Sequence, residues 1–310
     1  MSSVKLSPVL KQLLAQRHPQ SFASPPKHIL YSVLEHTRAE AKQHGALNGW
    51  LVLSTCTLLT ANTPGAVGDL YRFASSKNGT SQTRLELAAA IDVAAKMREA
   101  ALKSSIFVGV PRTILAMAAM TEAFEDDVKN GLRKESHRTV TPANVDNFVN
   151  RGHALWKSIY EPHAEKLYNK LGSYHPDFIT FIIQAYGIVL APFAYPPNTS
   201  NTSDPTDPTN PTNPEKEKEK EKEQGDLTRT LGSVVGTACL RAETHVGPQL
   251  TSHVFGLLKA RSSEPSSSLL SAEDRWLSSD EGTEWVVRSV DRIYDVARGY
   301  EGEMGEKAKL

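Results

Sequence analysis

The sequence predicts an all-α protein, on three observations. Apolar residues recur three and four positions apart, as in Phe178, Ile182, Tyr186 and Val189, or Val286, Val290, Ile293 and Ala297, which gathers them on one helical face. The strict alternation of a half-buried strand is lacking. Prolines stand where helices would begin, at Thr63-Pro64, Thr141-Pro142 and His175-Pro176, and a first-turn proline loses no hydrogen bond because its N–H would be unpaired there anyway. Roughly ten helices are expected on this pattern.

Read in order, the chain divides into a helical unit over 1–140, a second over 141–299 and a tail over 300–310. In the first unit, Cys56-Thr57-Leu58 through Pro64 to Tyr71 reads as helix, Pro-led turn, helix, and a further helix carries Arg98-Glu99-Ala100-Ala101-Leu102. His153 and His163 then lie ten apart on one expected helix, where with Trp156 and Tyr160 they either line a groove or pack against a neighbour. Between Tyr195 and Gly225 prolines alternate with Asn, Thr, Ser and Asp, and Glu215 to Glu223 alternates Glu with Lys. Residues 196–224 are therefore expected to be a disordered insertion, since the prolines break helices and the charge run buries too little surface to offset ordering.

Beyond the insertion, Cys239-Leu240-Arg241 through Pro248 to Phe255 repeats the helix, Pro-led turn, helix order, and Val287 to Ile293 lies on a later helix. Ser271 and Asp274 have the spacing of a capping box. With one gap the two segments align cysteine to cysteine and proline to proline, which points to a duplicated helical unit. Gly299, Gly302 and Gly305 stop any helix before the end.

Composition narrows the function classes. The 35 basic and 35 acidic residues cancel, so no nucleic-acid or anionic-membrane footprint is expected. The 39% hydrophobic content suffices for a real core. No run approaches a membrane span, and Met1-Ser2-Ser3-Val4-Lys5 opens no apolar leader. Cys56 and Cys239 are too few for a disulfide framework or a cysteine zinc site. They are expected to be reduced, and the glycosylation matches at Asn78, Asn198 and Asn201 unused. No metal-ligand spacing and no glycine-rich phosphate loop occurs, so no cofactor is indicated. The final Ala308-Lys309-Leu310 resembles a peroxisomal import address of the Ser-Lys-Leu type. It implies the import receptor as a partner and the peroxisomal matrix as the location.

The stretch REAALKSSIFVGVPRTILAMAAM, Arg98 to Met120, resembles the helix, Gly-x-Pro turn and helix of the carboxymuconolactone decarboxylase and alkylhydroperoxidase D-like family. Arg151-Gly152-His153-Ala154-Leu155-Trp156, His175-Pro176-Asp177-Phe178, Tyr186-Gly187, Leu227-Thr228-Arg229 and Gln249 to His253 follow the order of that family's repeat. Together these cover most of residues 45 to 300. The resemblance implies duplicated helical repeats and assembly into a homo-oligomer. Its peroxidase branch works through Cys-x-x-Cys-x-x-x-His with a nearby Glu. With His253 in the motif's histidine position, Val246 and Gln249 replace the cysteines and Thr230 stands near the Glu. Dithiol peroxidase chemistry is therefore not expected.

The decarboxylase branch stabilises an enolate-like charge, which needs a proton donor and a cation in a small pocket. Here the resemblance makes His253 the acid or base, with Arg241 to hold a carboxylate and Cys239 and His245 nearby. Each has a plainer role open to it: Cys239 as a small core residue, Arg241 with Glu243 as a solvated pair, His253 as a cap or core group. Two functions stand side by side, a cofactor-independent enzyme on a small carboxylated or lactone metabolite and a non-catalytic helical scaffold. A pocket where a cation converges on His253 favours the first, and a closed apolar core around it the second.

If the C-terminal tripeptide is the address, a fluorescently tagged protein lacking Ala308 to Leu310 stays cytosolic. Undiminished peroxisomal fluorescence of that truncation would remove the assignment.

Overall fold

The apolar periodicity becomes helix throughout a computed structural model that describes residues 4–16, 20–79, 83–193, 224–262 and 270–299. Fourteen α-helices are present among them. These are α1 (Pro8–Leu14), α2 (Lys27–Gln43), α3 (Leu47–Thr60), α4 (Pro64–Ala74), α5 (Leu87–Val108), α6 (Val110–Ala123) and α7 (Asp126–Gly131). They continue as α8 (Val145–Tyr160), α9 (Ala164–Tyr174), α10 (Pro176–Ala185), α11 (Arg229–Glu243), α12 (Gly247–Lys259), α13 (Ala272–Leu277) and α14 (Asp280–Arg298). A π-helical turn, Tyr186–Leu190, extends α10, and a 3₁₀ turn, Ala260–Ser262, follows α12. No strand occurs among the described residues; Ser76 and Arg84 form one isolated bridge. The count exceeds the expected ten because α1, α7 and α13 are only two turns or less, and because Glu161-Pro162 splits one expected helix into α8 and α9. Among the described residues no helix is long and apolar enough to cross a membrane. The tail from 300 and the insertion residues 196–223 lie outside the described residues.

Two of the three Pro-led starts hold, at Pro64 and Pro176. Pro142 does not start α8. Asn144 takes the capping position and its Oδ1 accepts from the Thr141 N–H at 2.8 Å, so the proline belongs to a turn ahead of the helix. The Ser271 capping box forms as read: its Oγ accepts from the Asp274 N–H at 3.0 Å and donates to the Asp274 carboxylate at 2.8 Å. Gly299 ends α14 in the left-handed region at φ 69°, a conformation that costs glycine little.

Helix α3 is the axis of the main core. Every residue from Gly49 to Thr60 is buried, and α2, α4, α5, α11 and α14 pack around it. Its threonines are buried by returning their hydroxyls to the helix: Thr55, Thr57 and Thr60 donate to the carbonyls of Leu51, Leu53 and Cys56 at 2.7–2.8 Å. The main core takes residues from both sides of position 140, from Leu30 to Leu132 and from Leu227 to Ala297. A second, smaller core of α8, α9, α10 and the π turn centres on Trp156, Ile159, Ile183 and Tyr186.

Glycine sets how closely this smaller unit closes. A Cβ on Gly152 of α8 would stand 2.0 Å from the Ile183 carbonyl oxygen, and one on Gly187 of the π turn 1.8 Å from that of Phe148. Neither oxygen belongs to a movable side chain, so Gly152→Ala should destabilise the protein by about 3 kcal/mol in urea denaturation. Gly247→Ala, whose Cβ meets nothing within 4 Å, should stay within about 0.5 kcal/mol of wild type. Equal stability of the two variants would contradict the close approach.

Candidate functional site

The three residues singled out from sequence go to three places. Cys239 lies fully buried on α11, facing α3, with Cys56, Ser104 and Thr60 as its hydrogen-bonding neighbours. The two cysteines, read from sequence as one isolated thiol in each half, meet in the core as free thiols. Burial and then the adjacent Cys239 push the Cys56 thiol well above its ordinary value. For Cys239 burial acts the same way, but hydrogen bonds from Cys56, Ser104 and Thr60 outweigh it and leave the thiol lowered. Arg241 projects to the far side of α11, where Nε and Nη2 form a bidentate pair with Asp291 at 2.6 Å each. Glu243 pairs instead with Arg112 at 2.5 Å. Arg241 and Glu243 are therefore not each other's partners, and His245 shares the cleft of Arg241, about 370 Å³, rather than that of His253.

His253 is buried on α12 and is met by groups from α11, α5 and α8. Gly236 of α11 makes room for it, since a Cβ there would come within 2.6 Å of Nδ1. The ring stands edge-on to Phe107 of α5 at 5.1 Å between centroids. Nε2 lies 3.3 Å from the Tyr160 hydroxyl of α8, which is 3.0 Å from the Tyr186 hydroxyl of the π turn. A cation does converge here, but it is Arg229 at the start of α11. Its Nε donates to Ser158 Oγ at 3.1 Å, Nη1 to Ser233 Oγ, and Nη2 to the Gly256 carbonyl at 3.4 Å.

The space enclosed by Arg229, Ser233, His253, Phe107 and Leu190 is about 10 Å³, which is room for roughly one water molecule. Burial, and then the Arg229 charge, pushes the His253 imidazole down to about 4. Burial likewise raises both the Tyr160 and Tyr186 hydroxyls. At neutral pH the inner cluster thus holds a neutral imidazole and two neutral phenols beside one guanidinium.

Tyr160 and an edge of the buried Ile159 also border the surface. They line a cleft of about 280 Å³ with His163, Lys166, Lys170, Lys259 and Phe255. Lys259 donates to the carbonyls of Ile159 and Glu161 at 2.9 and 2.7 Å, which closes the end of α8. The ten-residue pairing of His153 and His163 on one helix does not occur. His163 caps α9 beyond the Glu161-Pro162 break, while His153 remains on α8 near Tyr168. Sequence reading offered Tyr160 as a groove residue with His153, His163 and Trp156, and of these Tyr160 and His163 share the outer cleft; Tyr186 and Arg229 were named within motifs but given no role. Their signal is polar residues at the edges of otherwise apolar helical stretches. Among the described residues no group of three or more His, Cys, Asp or Glu could hold a metal ion.

An unfolded histidine takes up its proton near 6.5, whereas His253 in the fold does so only near 4. The unfolded state therefore binds more protons between those values, so the stabilisation is full above pH 6.5 and is lost as pH falls toward 4. Over that window wild type should lose about 3 kcal/mol more than His253→Gln, measured by urea denaturation at several pH values. Parallel profiles of the two proteins would mean that His253 is not held neutral.

Comparison of the chain with protein-family models, with curated proteins and with solved structures finds no match.

Proposed function

We propose that the protein is a cofactor-independent enzyme of carboxymuconolactone decarboxylase-like fold, acting on a small carboxylated metabolite in the cleft beside Tyr160. One observation carries this reading: the Tyr160 side chain lines the outer basic cleft while its hydroxyl reaches the buried Tyr186 and His253. Lys166 and Lys170, one turn apart on α9, and His163 offer donors for a carboxylate, and Phe255 and Leu167 offer an apolar wall. A phenol whose ionisation burial opposes is suited to give a proton rather than to take one. Tyr160 therefore donates its proton to the enolate-like charge that develops on the substrate. The resulting tyrosinate is held by the Tyr186 O–H and by the His253 Nε2–H until solvent returns the proton.

The duplicated repeat belongs to the same reading. Helices α3 and α11 pack directly, and α5 and α14 each contact both. Between α3 and α4 the chain passes a left-handed residue, Asn62 at φ 58°, before Pro64. Between α11 and α12 it passes Thr244 and His245 at 58° and 54° before Pro248. These matching turns support a common origin. The peroxisomal matrix and import through Ala308-Lys309-Leu310 rest on the tripeptide alone. A homo-oligomer is supported by exposed Tyr174, Phe178 and Phe181 at α9 and α10.

The scaffold reading has one observation in its favour, the 10 Å³ space at His253, which admits no metabolite. The two readings separate in a thermal-stabilisation screen of small carboxylic acids. An enzyme should give a ligand whose effect is lost in Lys166→Gln/Lys170→Gln. Tyr160→Phe should then bind that ligand but turn it over at least about a hundredfold more slowly. No stabilising acid would leave the scaffold, whereas full turnover by Tyr160→Phe would remove Tyr160 from the proposed chemistry.

A further inference from the structure

A second cavity, unrelated to Tyr160, lies between α5, α6 and the chain that follows α7. It encloses about 120 Å³, with Arg98 and Glu99 of α5, Arg133 and Gln224 at its polar side, and Leu102 and Met117 at its apolar side. Glu99 is nearly fully buried and is shared among three cations: Arg138 in a short contact, Lys103 at 3.3 Å and Arg133 at 3.9 Å. Gln224, the last residue of the expected insertion, is ordered here. Its Oε1 accepts from the Arg133 N–H at 2.7 Å and its Nε2 donates to the Gly131 carbonyl at 3.0 Å, so the amide forms a fixed wall.

The charges around the cavity do not balance. Arg98, Arg133, Arg138 and Lys103 face Glu99, with Asp226 acting on Lys103 from further off. Arg98 is half-buried, yet among the described residues it donates no hydrogen bond; its recorded electrostatic partner is Glu99. Arg133 gives one Nη to the Glu135 carbonyl at 2.8 Å and stacks over Phe193 at 5.3 Å, which fixes its plane. Glu99 makes no hydrogen bond or ion pair with Arg98: its Oε1 is taken by Arg138 and Lys103, and its Oε2 lies 3.9 Å from Arg133. Two guanidinium groups at one cavity, with a single carboxylate behind them shared among three cations, form a receptor for an external oxyanion.

We propose that this cavity binds a small carboxylate with a short apolar tail, its oxygens on Arg98 and Arg133 and its tail against Leu102 and Met117. The apolar side decides for an organic acid over an inorganic anion, which would leave Leu102 and Met117 facing a charge. Burial lowers both arginines, and both would be relieved by a bound anion.

Isothermal titration calorimetry on the full chain tests this, with sodium butyrate and inorganic phosphate as probes at an ionic strength fixed by sodium chloride. Butyrate should bind wild type, and Arg98→Gln and Arg133→Gln should each weaken it at least tenfold. Met117→Trp, which fills the cavity but keeps both arginines, should do the same and remains informative if Arg133→Gln fails to fold. Lys166→Gln/Lys170→Gln, which removes the carboxylate donors of the outer cleft, should bind butyrate as wild type does, which keeps this site distinct from that cleft. Absence of butyrate heat with wild type would overturn the proposal. So would undiminished affinity in Arg98→Gln or Met117→Trp, or phosphate binding in its place.

Discussion

Lys103 has no exposed surface, and its ammonium donates to the carbonyls of Val189, Leu190 and Ala191 at 2.8–3.0 Å with Glu99 3.3 Å away. The end of the π turn, where backbone carbonyls run out of helical partners, is thereby fastened to α5 by a charge. Arg138 adds a second tie to the same place, donating to the Ile188 carbonyl at 2.8 Å while pairing with Glu99. Burial, opposed by Glu99, brings the Lys103 ammonium down to about 8, so at neutral pH it remains a cation and keeps its hold. The smaller core meets the larger one here, and the positions of Tyr186 and Leu190 against His253 depend on it. A buried ion pair contributes modestly to net stability but is costly to break. Its effect here is to fix one arrangement of two helical units.

The candidate site is layered by charge. Inside, Tyr160, Tyr186 and His253 are neutral at pH 7 and the Arg229 guanidinium is spread over two serine hydroxyls and a carbonyl. Outside, the cleft carries Lys166, Lys170 and His163 on exposed positions. Lys259 of α12 lines the same cleft, its ammonium given to the carbonyls of Ile159 and Glu161. A protonated His253 beside Arg229 would set two positive charges together in a dry space, which is why burial and Arg229 act on the imidazole in the same direction.

Helices were legible because burial on one face leaves a three-and-four pattern, and Ser271, Pro64 and Pro176 marked starts correctly because capping is a local matter. Tertiary pairing was not local. Nothing in the sequence around Lys103 marks it as buried, and its three carbonyl partners lie more than eighty residues away. His253 was reachable from the order of motifs around Pro248, but its companions come from α5, α8 and the π turn. Arg241 and Arg229 share α11. Which of them faces His253 depends on α14, whose Asp291 claims Arg241. The cysteines followed the same rule: each half carried one, and only the packing of α3 on α11 made them neighbours.

The burial of α3 on all sides has a consequence for how the chain is made. An amphipathic helix emerging from a ribosome can turn its apolar face inward against whatever is already present. A helix buried from Gly49 to Thr60 has no face to leave in water. One of its main neighbours, α11, begins only at Arg229, so residues 61 to 228 must be synthesised before that side is covered. During this interval an apolar helix with no polar face is available to chaperones and to other nascent chains. Messages or fragments ending before α11 should accordingly yield aggregates rather than a shorter folded domain.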